Sequence, residues 1–165
     1  MPPSDSHLVS LVFPPEPVWV RAAREAVRTL LAAADRRDLA DTALLLTSEA
    51  VTNSVNACLR SGCSTPVTLF AEWTNPHHLR VLVQDEAPGL PVPYAPATED
   101  EHGRGLALIS YGADAWGVCA HGPGPGKATW FELGLLSPPP QSGESDRLPP
   151  RTAIRSPVNH SRWLS

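Results

Sequence analysis

Residues 48–57 read SEAVTNSVNA, a polar interruption inside an otherwise apolar helical stretch. The surrounding run, from about 39 to 60, carries Leu39, Leu46, Ala50 and Val51 on one stripe. That spacing predicts a helix, with Asp38 as its cap and Gly62 just past its end. Glu49 and Asn53 are four residues apart, so they share a face one turn above another, and Asn56 lies near that face. Asn prefers caps and turns to helix interiors, so two Asn and a Glu at mid-helix need a reason. A solvent-facing polar stripe is one. The other is the face of a cleft, where Asn53 offers a neutral oxygen to Mg²⁺ and Glu49 positions or deprotonates a nucleophile.

Outward from this helix, the chain alternates helix and strand signals. Residues 18–34, VWVRAAREAVRTLLAAA, place Val20, Ala23, Val27, Leu30 and Leu31 on one stripe, with Arg21, Arg24, Glu25 and Arg28 mostly away from it. This is an amphipathic helix. Residues 66–73 and 79–84 alternate like half-buried strands around a turn at Asn75-Pro76, which reads as an antiparallel hairpin. Residues 85–103 form a long loop rich in Pro, Gly and acid, of the length expected of a functional loop or lid. A short helix from about 104 to 111 and strands at 115–120 and 128–135 complete the pattern. The expected architecture is an α+β two-layer sandwich, a mostly antiparallel sheet with helices on one face.

Three further segments carry chemistry-bearing residues. In VQDEAPGLP, residues 83–91, Asp85 stands where a strand ends and a loop opened by Gly89 begins. It reads either as a turn-initiating Asp or as an acceptor for an amino group such as the adenine N6. In HGRGLALI, residues 102–109, Gly103 and Gly105 flank Arg104 just before an apolar helical run. A helix-entry turn explains this. So does a phosphate cradle of free N–H groups with a forked cationic donor. GPGPGKATWF, residues 122–131, is not a phosphate-binding P-loop: His121 occupies the place of its first Gly, Ala128 that of its Ser/Thr, and a strand follows instead of a helix.

Composition bounds the function classes. The chain has 165 residues, 17 acidic and 13 basic, for a formal net charge of −4. That balance argues against a general nucleic-acid binder. No apolar run approaches the ~20 residues of a membrane helix. MPPSDSHLVS lacks the layout of a signal peptide, so a cytoplasmic protein is expected. Cys58, Cys63 and Cys119 are odd in number and spaced for neither a disulfide framework nor a zinc knuckle. Lys127 stands alone among 12 Arg, and Pro reaches 19, the usage of a GC-rich genome. Six of those prolines fall in residues 138–165 with four Arg and two acidic residues, which predicts a flexible tail of charge +2. Residues 1–9 are expected to be loose and residues 10–137 to form one domain.

Taken in order, a Glu-x-x-x-Asn helix, a strand-end Asp with a Gly loop, a Gly-x-Gly-Leu opening a helix and a closing strand pair resemble the GHKL (histidine-kinase-like) ATPase superfamily. More closely, they resemble the bacterial anti-sigma-factor serine/threonine kinases and their ATP-binding regulatory relatives. SEAVTNSVNA is similar to the N box of that family, VQDEAPGLP to its first Gly box and HGRGLALI to its second. ADAWGV (113–118) and GKATWFEL (126–133) are similar to its closing strands, so the likeness spans residues 15–135. It implies a Bergerat-type fold holding ATP between helices and sheet. In that frame Asn53 binds Mg²⁺, Glu49 is the base, and Asp85 hydrogen-bonds the adenine amino group beside the Gly89 loop. Gly103, Arg104, Gly105 and Leu106 line the triphosphate, and Thr129 approaches the adenine.

The implied activity is transfer of the γ-phosphoryl group to a Ser or Thr of a protein antagonist, and/or sequestration of a sigma factor. Relatives commonly form homodimers. A non-catalytic partner-binding module is the alternative, and a catalytic domain serving a histidine-phosphotransfer protein a third. The sequence departs from the family pattern at three points: Ala87 replaces the first Gly of Asp-x-Gly-x-Gly, Ala57 replaces a frequent His, and the lid at 92–102 is acidic, with Glu99, Asp100 and Glu101 ahead of His102.

Overall fold

The computed structural model describes residues 8–89, 101–120 and 124–134, with residues 101–104 as backbone. The elements run β1 (Leu8–Phe13), α1 (Trp19–Ala33), a 3₁₀ turn (Arg37–Leu39), α2 (Ala40–Ser61), β2 (Val67–Asn75), β3 (His78–Asp85), α3 (Glu101–Gly112), β4 (Ala115–Ala120) and β5 (Lys127–Leu133). The strands form one sheet in the order β1-β2-β3-β5-β4, and every neighbouring pair is antiparallel. The expected hairpin is β2–β3, turning at Asn75, whose Oδ1 accepts the His77 N–H at 3.0 Å.

Strand alternation decides which face meets the helices. Val67, Leu69, Ala71 and Trp73 of β2 are buried, as are Leu79, Val81 and Val83 of β3 and Phe131 and Leu133 of β5. The register lines these up across strands, Leu69 with Val83 and Thr129, Ala71 with Val81 and Phe131. Against this face pack Ala23, Val27, Leu30 and Leu31 of α1 and Ala43, Leu46, Ala50, Val51 and Val55 of α2, all in one core. The α+β sandwich with helices on one face is therefore the observed fold. Among the described residues no helix is long and apolar enough to cross a membrane.

Three expectations need correction. First, Leu8 and Val9, expected in a loose N-terminus, belong to β1, which pairs with β2. Its sequence LVSLVF is apolar on both faces, with Leu8 and Val12 exposed and Phe13 buried, so it lacks the polar contrast that marks a strand. Phe13 stacks on Trp19 with ring centroids 6.0 Å apart, tying β1 to α1. Second, Asp38 does not cap α2. The helix starts from Leu39 without a side-chain cap, because Asp38 lies in the 3₁₀ turn and both its oxygens take the Arg36 guanidinium at 2.9 Å. Third, α3 begins at Glu101, three residues earlier than expected. The end of α2 is as expected, with Gly62 at its C-cap. Most of the expected lid and the whole Pro/Arg tail lie outside the described residues.

Candidate functional site

The site residues come from four elements, α2, α3, β3 and β5. The second helix supplies Glu49 and Asn53, both half-buried and one turn apart. Facing them is α3, anchored by Leu106 and Ile109, which are buried in the core. Gly105 of α3 meets Asn53 of α2: a Cβ on Gly105 would lie 2.6 Å from Asn53 Nδ2 and 3.0 Å from Oδ1. Asn53 Nδ2 is buried without a hydrogen-bond partner among the described residues, a rare condition that calls for a ligand or a rearrangement.

Asp85 closes β3 on the same face of the sheet and is 1% exposed. Its Oδ1 accepts two hydrogen bonds, from the Ala87 N–H at 3.0 Å and from Lys127 Nζ at 2.6 Å. Lys127 also donates to the Ala87 carbonyl at 3.3 Å. It reaches Asp85 because β3 and β5 pair these two residues directly. The other oxygen, Asp85 Oδ2, is buried and has no partner among the described residues. An ionised carboxylate oxygen can only accept, so this orphan fits a buried N–H donor such as the adenine 6-amino group. Cys58 of α2 lies close enough to feel the charge: burial, then the Asp85 carboxylate, push its thiol up to about 11. Thr129, two residues along β5 from Lys127, is also buried on this face.

The loop after Asp85 removes one difficulty raised by the sequence. Ala87 is fully buried and belongs to the core, and among the described residues Asp35 alone of the non-glycines has a positive φ. Its methyl group is thus packed inward without strain. Gly89 does carry a positive φ, +86°, with open space where a Cβ would point; the turn needs glycine there for its backbone alone.

The second Gly segment differs from expectation. Only the first four N–H groups of a helix lack an intrahelical acceptor. Since α3 starts at Glu101, Gly103 and Arg104 fall in that first turn, whereas Gly105 and Leu106 fall beyond it. Gly105 contributes its missing side chain, which lets Asn53 come close, and Leu106 contributes core packing. The Arg104 side chain lies outside the described residues, as do Glu99 and Asp100.

For a metal, the donor set is small. Among the described residues no group of three or more His, Cys, Asp or Glu converges. A lone Asn53 oxygen suits Mg²⁺ that arrives with phosphate oxygens and keeps several waters. Sequence reasoning missed Lys127 as a partner of Asp85. The signal was available: it is the single lysine in a chain that otherwise uses arginine.

The chain can be set beside known protein families. The family model for the histidine kinase-like ATPase domain covers residues 13–129. No curated protein matches the chain.

Proposed function

The chain belongs to the histidine kinase-like ATPase family, and from that premise we propose that it is an ATP-binding regulatory protein kinase of the anti-sigma type. In this reading it transfers the γ-phosphoryl group of ATP to a Ser or Thr hydroxyl of a protein antagonist and holds a sigma factor on the same or an adjoining surface. The observation that carries the nucleotide assignment is the buried, unpartnered Oδ2 of Asp85. A carboxylate oxygen left without a donor inside a protein is expensive, and the adenine amino group supplies the donor.

Asp85 orients the base, and Asn53 holds the metal through its oxygen. Mg²⁺, when bound, neutralises charge on the phosphates. Glu49, one turn before Asn53, accepts the proton of the attacking hydroxyl. That oxygen bonds to the γ-phosphorus, the bond to the β,γ-bridging oxygen breaks, and ADP leaves.

A partner-binding module without phosphoryl transfer is the second reading. It is favoured by the contact of Gly105 with Asn53, which leaves the amide facing α3 until that helix withdraws.

Calorimetric titration with ATP, with and without Mg²⁺, tests the nucleotide site. Binding tightened by Mg²⁺ is expected, weakened about tenfold or more in Asn53→Ala and in Asp85→Asn. Absence of binding at millimolar ATP overturns the reading. Transfer of labelled γ-phosphate to a bound protein antagonist, lost in Glu49→Gln, separates the kinase from the module.

A further inference from the structure

Lys127 stands outside every role so far assigned, yet it is 6% exposed and is the nearest neighbour of the proposed adenine-reading carboxylate. A buried lysine is rare unless paired, and here the pairing is complete on one side only. Lys127 Nζ and the Ala87 N–H both bond Asp85 Oδ1, and Lys127 also bonds the Ala87 carbonyl. These three bonds clamp the carboxylate to its own loop. They saturate Oδ1 and leave Oδ2 as the single oxygen turned to an incoming base.

From this we infer that Lys127 is a specificity-determining residue: by pairing with Asp85 it fixes Oδ2 as an acceptor that takes a purine 6-amino group and rejects a 6-oxo group. The inference rests on the ATP-site reading above. The ion pair is neutral as a unit, so its free oxygen accepts a hydrogen bond but has no proton to donate. Adenine presents an N–H there. Hypoxanthine and guanine present an oxygen, which would face the acceptor with no proton between them. Sites built on a buried hydrogen bond reject ligands that lack the partner strongly, because the protein group is left unpaired. Without Lys127 the clamp opens. The carboxylate is then free to turn away from a 6-oxo group, and the discrimination weakens.

The test is the ratio of ATP to inosine triphosphate affinity, measured by calorimetry on the full chain. Wild-type protein is expected to prefer ATP at least about a hundredfold. In Lys127→Met that ratio should fall about tenfold or more. In the Asp85→Asn background, Lys127→Met should leave the ratio unchanged, because Lys127 acts through Asp85. A merely structural lysine would weaken both nucleotides equally and preserve the ratio, which overturns the inference while leaving the ATP site standing. If wild-type protein binds neither nucleotide, both fall.

A second measurement needs no variant. As Lys127 is the only lysine, ¹⁵N-lysine labelling gives one side-chain ammonium resonance. Slow proton exchange and a shift on saturation with ATP support the inference. A fast-exchanging ammonium indifferent to ATP overturns it, whether or not Lys127→Met folds.

Discussion

Gly105 of α3 rests against the side chain of Asn53 of α2, with only 2.6 Å between the position of a Cβ and Asn53 Nδ2. The obstacle is the far end of a movable side chain, so Gly105→Ala can be accommodated by turning the Asn53 amide. Alanine also favours a helix interior by about 1 kcal/mol over glycine. Stability should therefore change little or rise, while the Asn53 oxygen leaves its place. The expected outcome is an unaltered thermal midpoint with the Mg²⁺-dependent gain in ATP affinity reduced about tenfold. Parallel melting and calorimetry check it; a large loss of stability would show that the two helices cannot separate even slightly.

Gly134 presents the opposite case. Its φ is +85°, and a Cβ would fall 2.0 Å from the His77 carbonyl oxygen, a backbone atom that also accepts from Arg36 Nη1 at 3.2 Å. No side-chain rotation relieves that collision. Gly134→Ala combines left-handed strain of about 1–3 kcal/mol with displacement of the β2–β3 turn. A loss of ~3 kcal/mol or more is expected, lowering the midpoint by roughly 10 °C or more. Gly62→Ala is the control, with a similar φ of +71° but nothing within 4 Å, and it should cost only about 1 kcal/mol. Equal effects in urea melts of the two variants would sink the distinction.

How much of this was legible follows from what each signal measures. The helix positions of Glu49 and Asn53, the strand-end position of Asp85 and the β2–β3 hairpin could be read from periodicity and turn residues, because those patterns record burial on one face. The strand at Leu8–Phe13 could not, since both its faces are apolar. Asp38 looked like a helix cap, but a nearby arginine two residues away claimed both its oxygens. Sequence spacing gives local partners. It cannot show that β5 runs antiparallel beside β3 and so sets Lys127 opposite Asp85, 42 residues apart. Nor could it say whether the Ala87 methyl would crowd a ligand or join the core.

On the sheet face away from the helices, Glu132 is 8% exposed and bonds Arg80 through Oε1, at 2.6 Å from Nε and 2.5 Å from Nη2. Its Oε2 lies 3.3 Å from His78 Nε2. Arg80 and Glu132 are direct cross-strand partners on β3 and β5. Glu132→Ala removes a buried carboxylate together with its bonds to Arg80 and its contact with His78, which is expected to cost about 2–4 kcal/mol. Glu132→Gln keeps the volume and one acceptor and should lose less than half of that. Chemical denaturation ranks the two. The ATP titration should be unchanged in either, because this face is opposite the nucleotide site.

The last prediction concerns alkaline pH. Cys58 is fully buried near the end of α2, and its thiol is pushed up from 9.0 to about 11, first by burial, then by the Asp85 carboxylate and by Cys63. The unfolded chain releases this proton near 9 and the folded chain only near 11. The folded state thus binds more protons through that window, and stability must fall as pH rises through it. Below about pH 8.5 the contribution is fully present. Urea midpoints of wild-type protein should therefore be flat from pH 7 to 8.5 and decline from 9 to 10.5. Cys58→Ala should decline less steeply. Some slope remains, because burial also raises the Cys119 thiol, against an opposing backbone hydrogen bond with Ala128. Asp85→Asn removes the second cause, so its decline should begin at the same pH and be smaller in total, in proportion to how much of the Cys58 shift the carboxylate supplies. Identical pH slopes for wild-type protein and Cys58→Ala would show that this thiol meets water readily and that the core around Asp85 is open.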